Sequence, residues 1–492
     1  MHAKRASSRR AASTWVAPVL VCLIAFGLRL GPLWANRFHS DEALYASWAL
    51  AVSTARDVLL AQVAPDKPPL LFYLMAAAFL VIGRVEVAAR LIGLMAGVLS
   101  VALMWKLADR LALPPLISAI AFALSPFAIL FAPTAFLDPT MVMLVLASLV
   151  AVTHGRPGWA GVLLGLGAAT KVQALIYLPL VFVCSLFAVR HAQRSFVIGR
   201  FVAGLAMPLL AVLAWDRLRG GTPFWIQQTI NYGGIRLIYA SEVMPRLIGW
   251  ASFLPYFFGW PMLIALSVGL PLLLIYDLTR NAHTNSALLD LALIAFSLGY
   301  FFLHWLLAFQ VWDRYIFGLM PIVCLLIGRL ASRMIEWLTH RIGKQSVAGC
   351  VTALLIVVMM GSSASEAWQS AIPVGGDHGP HDGIDRVASY LQDFPYGTVV
   401  YDHWLGWTLR YYLWDARTYI AYFATPQSLA EDLHVFGRTS PRFIVIPANE
   451  STTRIERAMA LEGFTLSPVL ATQDRHGQPT FTLYRIDAYA SR

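Results

Sequence analysis

The sequence predicts a multi-pass all-α membrane domain of about eleven transmembrane helices, with a re-entrant or juxtamembrane segment in its first loop and a small C-terminal α/β extracytoplasmic domain. Three observations predict it. Of 492 residues, 58% are hydrophobic and only 13% are charged, and the mean hydropathy is positive, a balance that soluble domains of this length do not show. Apolar runs near the roughly 20 residues needed to cross hydrocarbon recur along the chain as far as residue 363. Beyond residue 365 they stop, and short strand-like and helix-like stretches alternate.

The chain is accordingly divided into a cytoplasmic basic amino terminus over 1–14, a polytopic membrane domain over 15–365 and an α/β domain over 366–492. Lys4, Arg5, Arg9 and Arg10 precede the apolar run from Trp15, as in a secretory signal. No small-residue cleavage site occurs before Arg37, so this run is expected to stay as an anchor.

Spans are expected near 15–33, 88–105, 114–131, 138–153, 158–170, 174–189, 199–215, 252–276, 286–308, 315–331 and 346–363. That assignment puts Lys106, Arg110, Arg156, Arg190, Arg194, Arg280, Arg333, Arg341 and Lys344 inside and the tail outside, as the positive-inside rule requires. It holds only if the stretch Leu70–Ile82, short for a span, dips into the membrane behind Pro68 and Pro69 without crossing. In the tail, strands are expected at 397–402, 417–422, 442–447, 465–471 and 480–486, and helices at 404–412, 427–436 and 452–461. The polar, Gly- and Pro-rich stretch 373–383 marks the boundary.

The net charge of +10 is topological and not a nucleic-acid footprint. Residues 366–492 hold 10 Arg, no Lys and 14 acids, a balance of −4, which leaves +14 on the membrane part. Cys22, Cys184, Cys324 and Cys350 lie in or beside apolar segments without a CxxC spacing, so neither a disulfide framework nor a thiolate metal site is indicated. Asp41, Glu42, Asp57, Asp66, Glu86, Asp138, Asp216, Glu242 and Asp313 all come out on the external side. Acids do not obey the positive-inside rule, so their gathering independently implies a polar site at that face. The outer loop 216–250 also carries Arg217, Arg219, Arg236 and Arg246, which read either as a solvated loop or as phosphate contacts.

His39-Ser40-Asp41-Glu42 follows the first span and opens a helical-looking stretch. Two adjacent acids at a membrane surface suit a general base, because interfacial burial raises a carboxyl pKa toward a useful range. The plainer reading is a helix start, with Ser40 as cap and the acids favoured by the macrodipole. Further on, Asp66-Lys67-Pro68-Pro69 fixes a lysine beside a rigid entry, where it suits a lipid phosphate; the plainer reading is a charged pair ending a helix.

Together these two motifs resemble the GT-C glycosyltransferases, specifically the lipid A aminoarabinose transferases and the protein O-mannosyltransferases, dolichyl-phosphate-mannose-protein mannosyltransferase-like enzymes. Arg90-Leu91, Leu137-Asp138-Pro139, the stretch 165–171 (GLGAATK) and Trp312-Asp313-Arg314-Tyr315 leading to Pro321 continue the resemblance in order over roughly the first 330 residues, the tail matching only in position. The resemblance implies transfer of one sugar from a polyprenyl phosphate to an acceptor hydroxyl with inversion, on the outer face of a bacterial inner membrane, with the tail in the periplasm. It makes Asp41 the catalytic base with Glu42 in support, and Lys67 the lysine on the donor phosphate, with Arg90, Lys171, Arg314 and Tyr315 as further donor-phosphate candidates.

Asp66, Asp138 and His304 are candidate supporting or metal-ligating residues. Relatives commonly carry glutamate where Asp66 stands, which leaves a divalent metal ion open and not required. For His304 the plainer and favoured reading is a hydrogen-bonded packing histidine, and Lys171 reads equally as a side chain snorkelling from the end of its span. Interfacial belts and core packing account for most of Trp312, Tyr315, Trp404, Trp407, Tyr411, Tyr412 and Trp414, leaving a minority as sugar-stacking platforms.

The partners expected are a polyprenyl-phosphate-linked sugar, an acceptor that is an envelope glycolipid such as lipid A or lipopolysaccharide or a protein, and membrane lipids, with no nucleic acid. A transporter or flippase of lipid-linked sugars would instead show repeat symmetry and broken helices near the midplane. A block-transferring envelope polysaccharide ligase would share donor and compartment, and a membrane-embedded sensor with a carbohydrate-binding tail would lack the Asp41 and Lys67 motifs.

Overall fold

The computed structural model describes residues 2–187, 194–280 and 285–489. Arg190 and the end of the span expected at 174–189 lie outside the described residues. The chain divides into two compact units: residues up to Ala35 with Ala51–Gly375, and Asn36–Leu50 with the residues from Gly376 onward.

The first unit is helical wherever the sequence placed a span. Among the described residues six helices are long and apolar enough to cross a bilayer: Trp15–Ala35, Glu86–Arg110, Val197–Arg219, Ser286–Leu306, Asp313–Ile342 and Gln345–Trp368. A seventh is counted if Ala240–Phe258 and Trp260–Tyr276, bent by 106°, form one span. The bend falls at Gly259, whose φ of +86° is a left-handed value that a side chain would strain. The remaining expected spans are shorter helices. Pro115–Leu124 and Pro126–Phe131 are interrupted at Ser125, which is held extended ahead of Pro126 (φ −61°, ψ 125°). Leu137–Thr153 and Pro157–Thr170 are followed by a 3-10 turn, Val172–Tyr177, and the helix Leu178–Phe187. The first-loop stretch is a 13-residue helix, Leu70–Ile82, that starts directly after Pro69.

Small residues let two of these helices touch backbone to backbone. A Cβ on Gly161 would overlap the Phe201 carbonyl, and one on Gly204 would overlap the Gly158 carbonyl, the close approach that small-xxx-small spacing permits in membrane helices. Elsewhere a buried ion pair ties two spans, Arg329 Nε donating to Asp290 Oδ1 at 2.7 Å.

The second unit is a five-stranded sheet of order β2-β1-β3-β5-β4, with β1 Thr398–Asp402, β2 Thr418–Tyr422, β3 Arg442–Pro447, β4 Phe464–Gln473 and β5 Pro479–Ala488. β1 runs parallel to β2 and β3; β5 is antiparallel to β3 and β4, and the β4 register shifts twice, between Pro468 and Leu470 and between Ala471 and Gln473. All five strands fall where the sequence placed strand-like stretches. β3 is apolar at successive positions because both faces are covered. Phe443 and Val445 pack with Ile384, Val387 and Leu409 on one face, while Ile444 and Ile446 pack with Leu429, Leu433 and Met459 on the other. The helices Ile384–Gln392 and Gly406–Tyr412 thus cover one face, and Pro426–Phe436 and Thr453–Leu461 the other.

Candidate active site

In the first unit, Pro68 and Pro69 end the loop that carries Asp66 and Lys67, both about 5% exposed. Lys67 Nζ donates to Asp66 Oδ2 at 2.8 Å and to the Tyr232 hydroxyl at 2.9 Å, and lies 4.4 Å from the centre of the Tyr232 ring. Asn231 Nδ2 donates to the same Asp66 oxygen at 3.1 Å. Both partners come from the helix Phe224–Tyr232, part of the outer loop read from its arginines alone.

Tyr232 packs edge-on against Trp312, with ring centres 5.9 Å apart, and Trp312 stacks on Tyr315 at 5.6 Å. The Arg314 guanidinium lies 4.3 Å above Trp312 and 5.2 Å from Phe136. Lys171 follows the last residue of the helix Pro157–Thr170; its Nζ donates to Asp138 Oδ1 at 2.6 Å and sits 4.6 Å over the Tyr315 ring, within electrostatic range of Arg314 and Lys67. Lys67, Lys171 and Arg314 therefore gather around the aromatic series Tyr232, Trp312 and Tyr315, and the two lysines are each held by an aspartate. Burying three cations together is costly and marks a functional pathway by default.

Asp313 caps this arrangement, accepting from the Arg314 N–H at 2.7 Å and the Gly375 N–H at 2.8 Å. Arg90 is buried in the helix Glu86–Arg110 and pairs with Glu86 at 3.5 Å. Both ring nitrogens of His304 have partners: Nδ1 donates to the Tyr300 carbonyl at 2.8 Å, Nε2 meets Gln173 at 2.8 Å, and the ring stacks on Tyr300 with centres 4.5 Å apart. Gln173, which sequence reasoning passed over, also donates to the Tyr315 carbonyl at 2.8 Å. Among the described residues, no three His, Cys, Asp or Glu side chains come together as a metal site. Three of the four loop arginines are engaged within the protein: Arg219 with Asp216 at 2.9 Å, Arg236 with Glu242 at 2.8 Å, and Arg246 with the carbonyls of His304, Trp305 and Leu307.

Asp41 and Glu42 belong to the second unit, in the first turn of the helix Ser40–Ser53. Glu42 is fully buried and accepts from the His39 N–H at 3.3 Å, and the Asp41 N–H donates to His39 Nδ1 at 3.2 Å. The five residues before Asp41 are each engaged by the tail. Arg475, bidentate on Asp382, donates to Asn36 Oδ1 at 2.9 Å. Arg37 faces Asp385 at 3.8 Å, Phe38 packs edge-on against Tyr411 at 4.8 Å, and the His39 ring lies 6.5 Å from that of His381. Ser40 Oγ is 3.3 Å from His381 Nε2, whose Nδ1 is 2.8 Å from Asp377 Oδ1. Burial raises the Asp377 carboxyl, but His381 and the N–H groups of Gly379 and His381 outweigh it and hold the group below its ordinary range.

The family model for dolichyl-phosphate-mannose-protein mannosyltransferases matches residues 66–215. The fold is similar to that of the ArnT of Cupriavidus metallidurans, solved in the apo state (TM-score 0.63, 16% identity) and bound to undecaprenyl phosphate (0.58, 15%), each match covering 96% of this chain and 98% of the other. Residues 66–215 are thus similar to that family, and nearly the whole chain shares the fold of these proteins. The fold is also similar to that of the oligosaccharyltransferase of Archaeoglobus fulgidus, solved with a tethered acceptor peptide, at TM-score 0.54 and 12% identity over 94% of this chain and 73% of that one. No curated protein sequence matches significantly. The stretch that matches the family model contains Asp66, Lys67, Arg90, Asp138 and Lys171, while Asp41 and Arg314 lie outside it.

Proposed function

We propose that this glycosyltransferase moves a single sugar, with inversion, from a polyprenyl-phosphate-linked donor to a hydroxyl of an envelope glycolipid such as lipid A or lipopolysaccharide, or of a protein. The reaction takes place on the outer face of a bacterial inner membrane that the chain crosses about eleven times, with its α/β domain in the periplasm. The observation that carries the reading is the gathering of Lys67, Lys171 and Arg314 around Trp312 and Tyr315. Preorganised cations in a water-poor site stabilise charge developing on a leaving phosphate, and undecaprenyl phosphate is what one ArnT structure of this fold contains.

In this scheme the acceptor oxygen gives its proton to Asp41 as it bonds to the anomeric carbon, with Glu42 in support. The bond from that carbon to the phosphate oxygen breaks on the opposite side, its electron pair staying with the polyprenyl phosphate. Lys67, Lys171 and Arg314 meet the added charge, while Asp66 and Asp138 hold the two lysines in place.

The test is an assay in membranes supplied with polyprenyl-phosphate-linked sugars and envelope acceptors, comparing wild type with Asp41→Ala at equal expression. Transfer that vanishes in the variant supports the scheme and identifies the donor. Undiminished transfer removes Asp41 as the base. Absence of transfer with every donor favours movement of lipid-linked sugars without chemistry, and transfer of preassembled chains alone favours a block ligase.

A further inference from the structure

The tail domain holds a cavity of about 460 Å³ that the transfer scheme leaves unused. It opens past the carboxyl ends of the three parallel strands, lined by His403 and Trp404 after β1, Phe423 after β2, and Glu450, Ser451 and Arg454 after β3. β1 lies between β2 and β3, so the chain leaves the sheet centre in both directions here, the position where open α/β sheets bind ligands.

The lining is divided in a way that fits a pyranose ring. One wall is aromatic: Trp404 is 67% exposed, and its ring meets that of His403 edge-on at 4.7 Å. His403 is itself fixed, stacked on Phe423 at 5.2 Å and hydrogen-bonded through Nδ1 to the Phe423 carbonyl at 2.8 Å. A nitrogen that faces a carbonyl carries the proton, so in the neutral ring Nε2 is left as an acceptor. The lining also includes the Glu450 carboxylate and the Arg454 guanidinium, neither engaged by another side chain among the described residues, and the Ser451 hydroxyl, which donates to Thr453 Oγ1 at 3.0 Å and keeps acceptor capacity. A sugar presents one flat face of C–H groups and a rim of hydroxyls that both donate and accept. An exposed indole covers the first, and a carboxylate, a guanidinium, a hydroxyl and an imidazole nitrogen meet the second. Opposite charges in the lining leave no net attraction for an ion, and the polar rim would leave a purely apolar occupant with unmatched groups.

We propose that this cavity is a saccharide-binding site, separate from the transfer chemistry, that holds a pyranose of a glycan. The assignment of that glycan to the acceptor rests on the transferase reading; the site itself does not.

The experiment uses the full chain in detergent, with methyl glucoside, N-acetylglucosamine and a glucosamine disaccharide as probes, read by saturation-transfer NMR and calorimetry. Saturable binding of at least one probe is expected, weakened at least about tenfold by Trp404→Ala and by Glu450→Gln and unchanged by Lys67→Gln. Trp404 and Glu450 are exposed, so loss of folding does not mask the result, and the melting temperature checks it. No saturable binding by any probe, or equal binding by Trp404→Ala, overturns the proposal. Binding that undecaprenyl phosphate displaces also overturns it, since the sugar then occupies the donor site. Asp41→Ala separates the two readings, because it is expected to keep saccharide binding whether or not it keeps transfer.

Discussion

His381 Nε2 lies 3.3 Å from the hydroxyl of Ser40, across 341 residues of sequence. With Asp377 fixing the other ring nitrogen, the imidazole is a brace for the turn that presents Asp41. His381→Ala is expected to lower kcat by about tenfold, the effect of about 1.4 kcal/mol in the barrier, with KM for the lipid-linked donor unchanged. His381→Gln, which keeps a polar atom near Ser40, recovers part of the loss. Steady-state kinetics in membranes check it, and a change confined to KM counts against the brace.

Lys67 is held by Asp66 and Tyr232 at hydrogen-bonding distance. Lys67→Gln removes the charge and is expected to reduce transfer about 10²- to 10³-fold, the usual effect of losing one preorganised group that stabilises charge in a transition state. Tyr232→Phe keeps the ring face over the ammonium and loses only the hydroxyl, so its loss is expected to be smaller. Equal losses in the two variants would mean that positioning outweighs charge.

The pair Asp290–Arg329 lies away from the cation cluster and gives a test of stability alone. Asp290→Ala leaves a buried guanidinium without its partner and is expected to cost about 3 to 5 kcal/mol. The double variant Asp290→Leu/Arg329→Met removes both charges and restores most of that loss. Thermal denaturation in detergent, followed by size-exclusion chromatography, separates the two.

Gly161→Ala places a methyl group against the Phe201 carbonyl, a backbone atom that cannot step aside, and is expected to destabilise by about 1 to 3 kcal/mol. Gly27→Ala meets nothing within 4 Å and is expected to be neutral or slightly stabilising. The same melting assay compares them, and similar midpoints would contradict the close helix contact.

Asp377 has a folded-state pKa below its ordinary value, burial working against and His381 with two backbone N–H groups working for the lowering. Such a carboxyl adds stability that is present above the ordinary aspartate value of about 3.9 and is lost as the pH falls through the lowered folded value. The second unit is therefore expected to melt at falling temperatures as the pH drops below the ordinary aspartate range, and Asp377→Asn to flatten that slope. Near-ultraviolet circular dichroism across this drop in pH is the measurement.

Local patterns carried far in the sequence. The succession of strand-like and helix-like stretches located all five tail strands, and the apolar run Leu70–Ile82 is the helix the structure contains. The Lys67 and Asp41 motifs were visible because their residues are adjacent. What stayed hidden depends on long-range pairing: Tyr232 reaches Lys67 over 165 positions, and His381 reaches Ser40 over 341. Charge counting left the outer loop open between a solvated loop and phosphate contacts, because an arginine committed to a carboxylate or to backbone carbonyls is indistinguishable in sequence from one open to a phosphate. Arg219 and Arg246 are of the first kind. Lys171 left a similar choice, between snorkelling and phosphate contact, and its pairing with Asp138, 33 residues away, is a long-range relation that sequence spacing does not show.

The two register shifts in β4 bear on how the tail behaves among many copies of itself. β4 and β2 are the outer strands of the sheet, where unpaired amides can recruit a strand from another molecule. β2 is only five residues long, and β4 contains Pro468 and is kinked twice before it ends. A proline offers no donor, and each irregularity twists the strand away from a straight template. Neither border presents a long flat row to a neighbour, so the domain can be crowded on a surface without sheets fusing edge to edge.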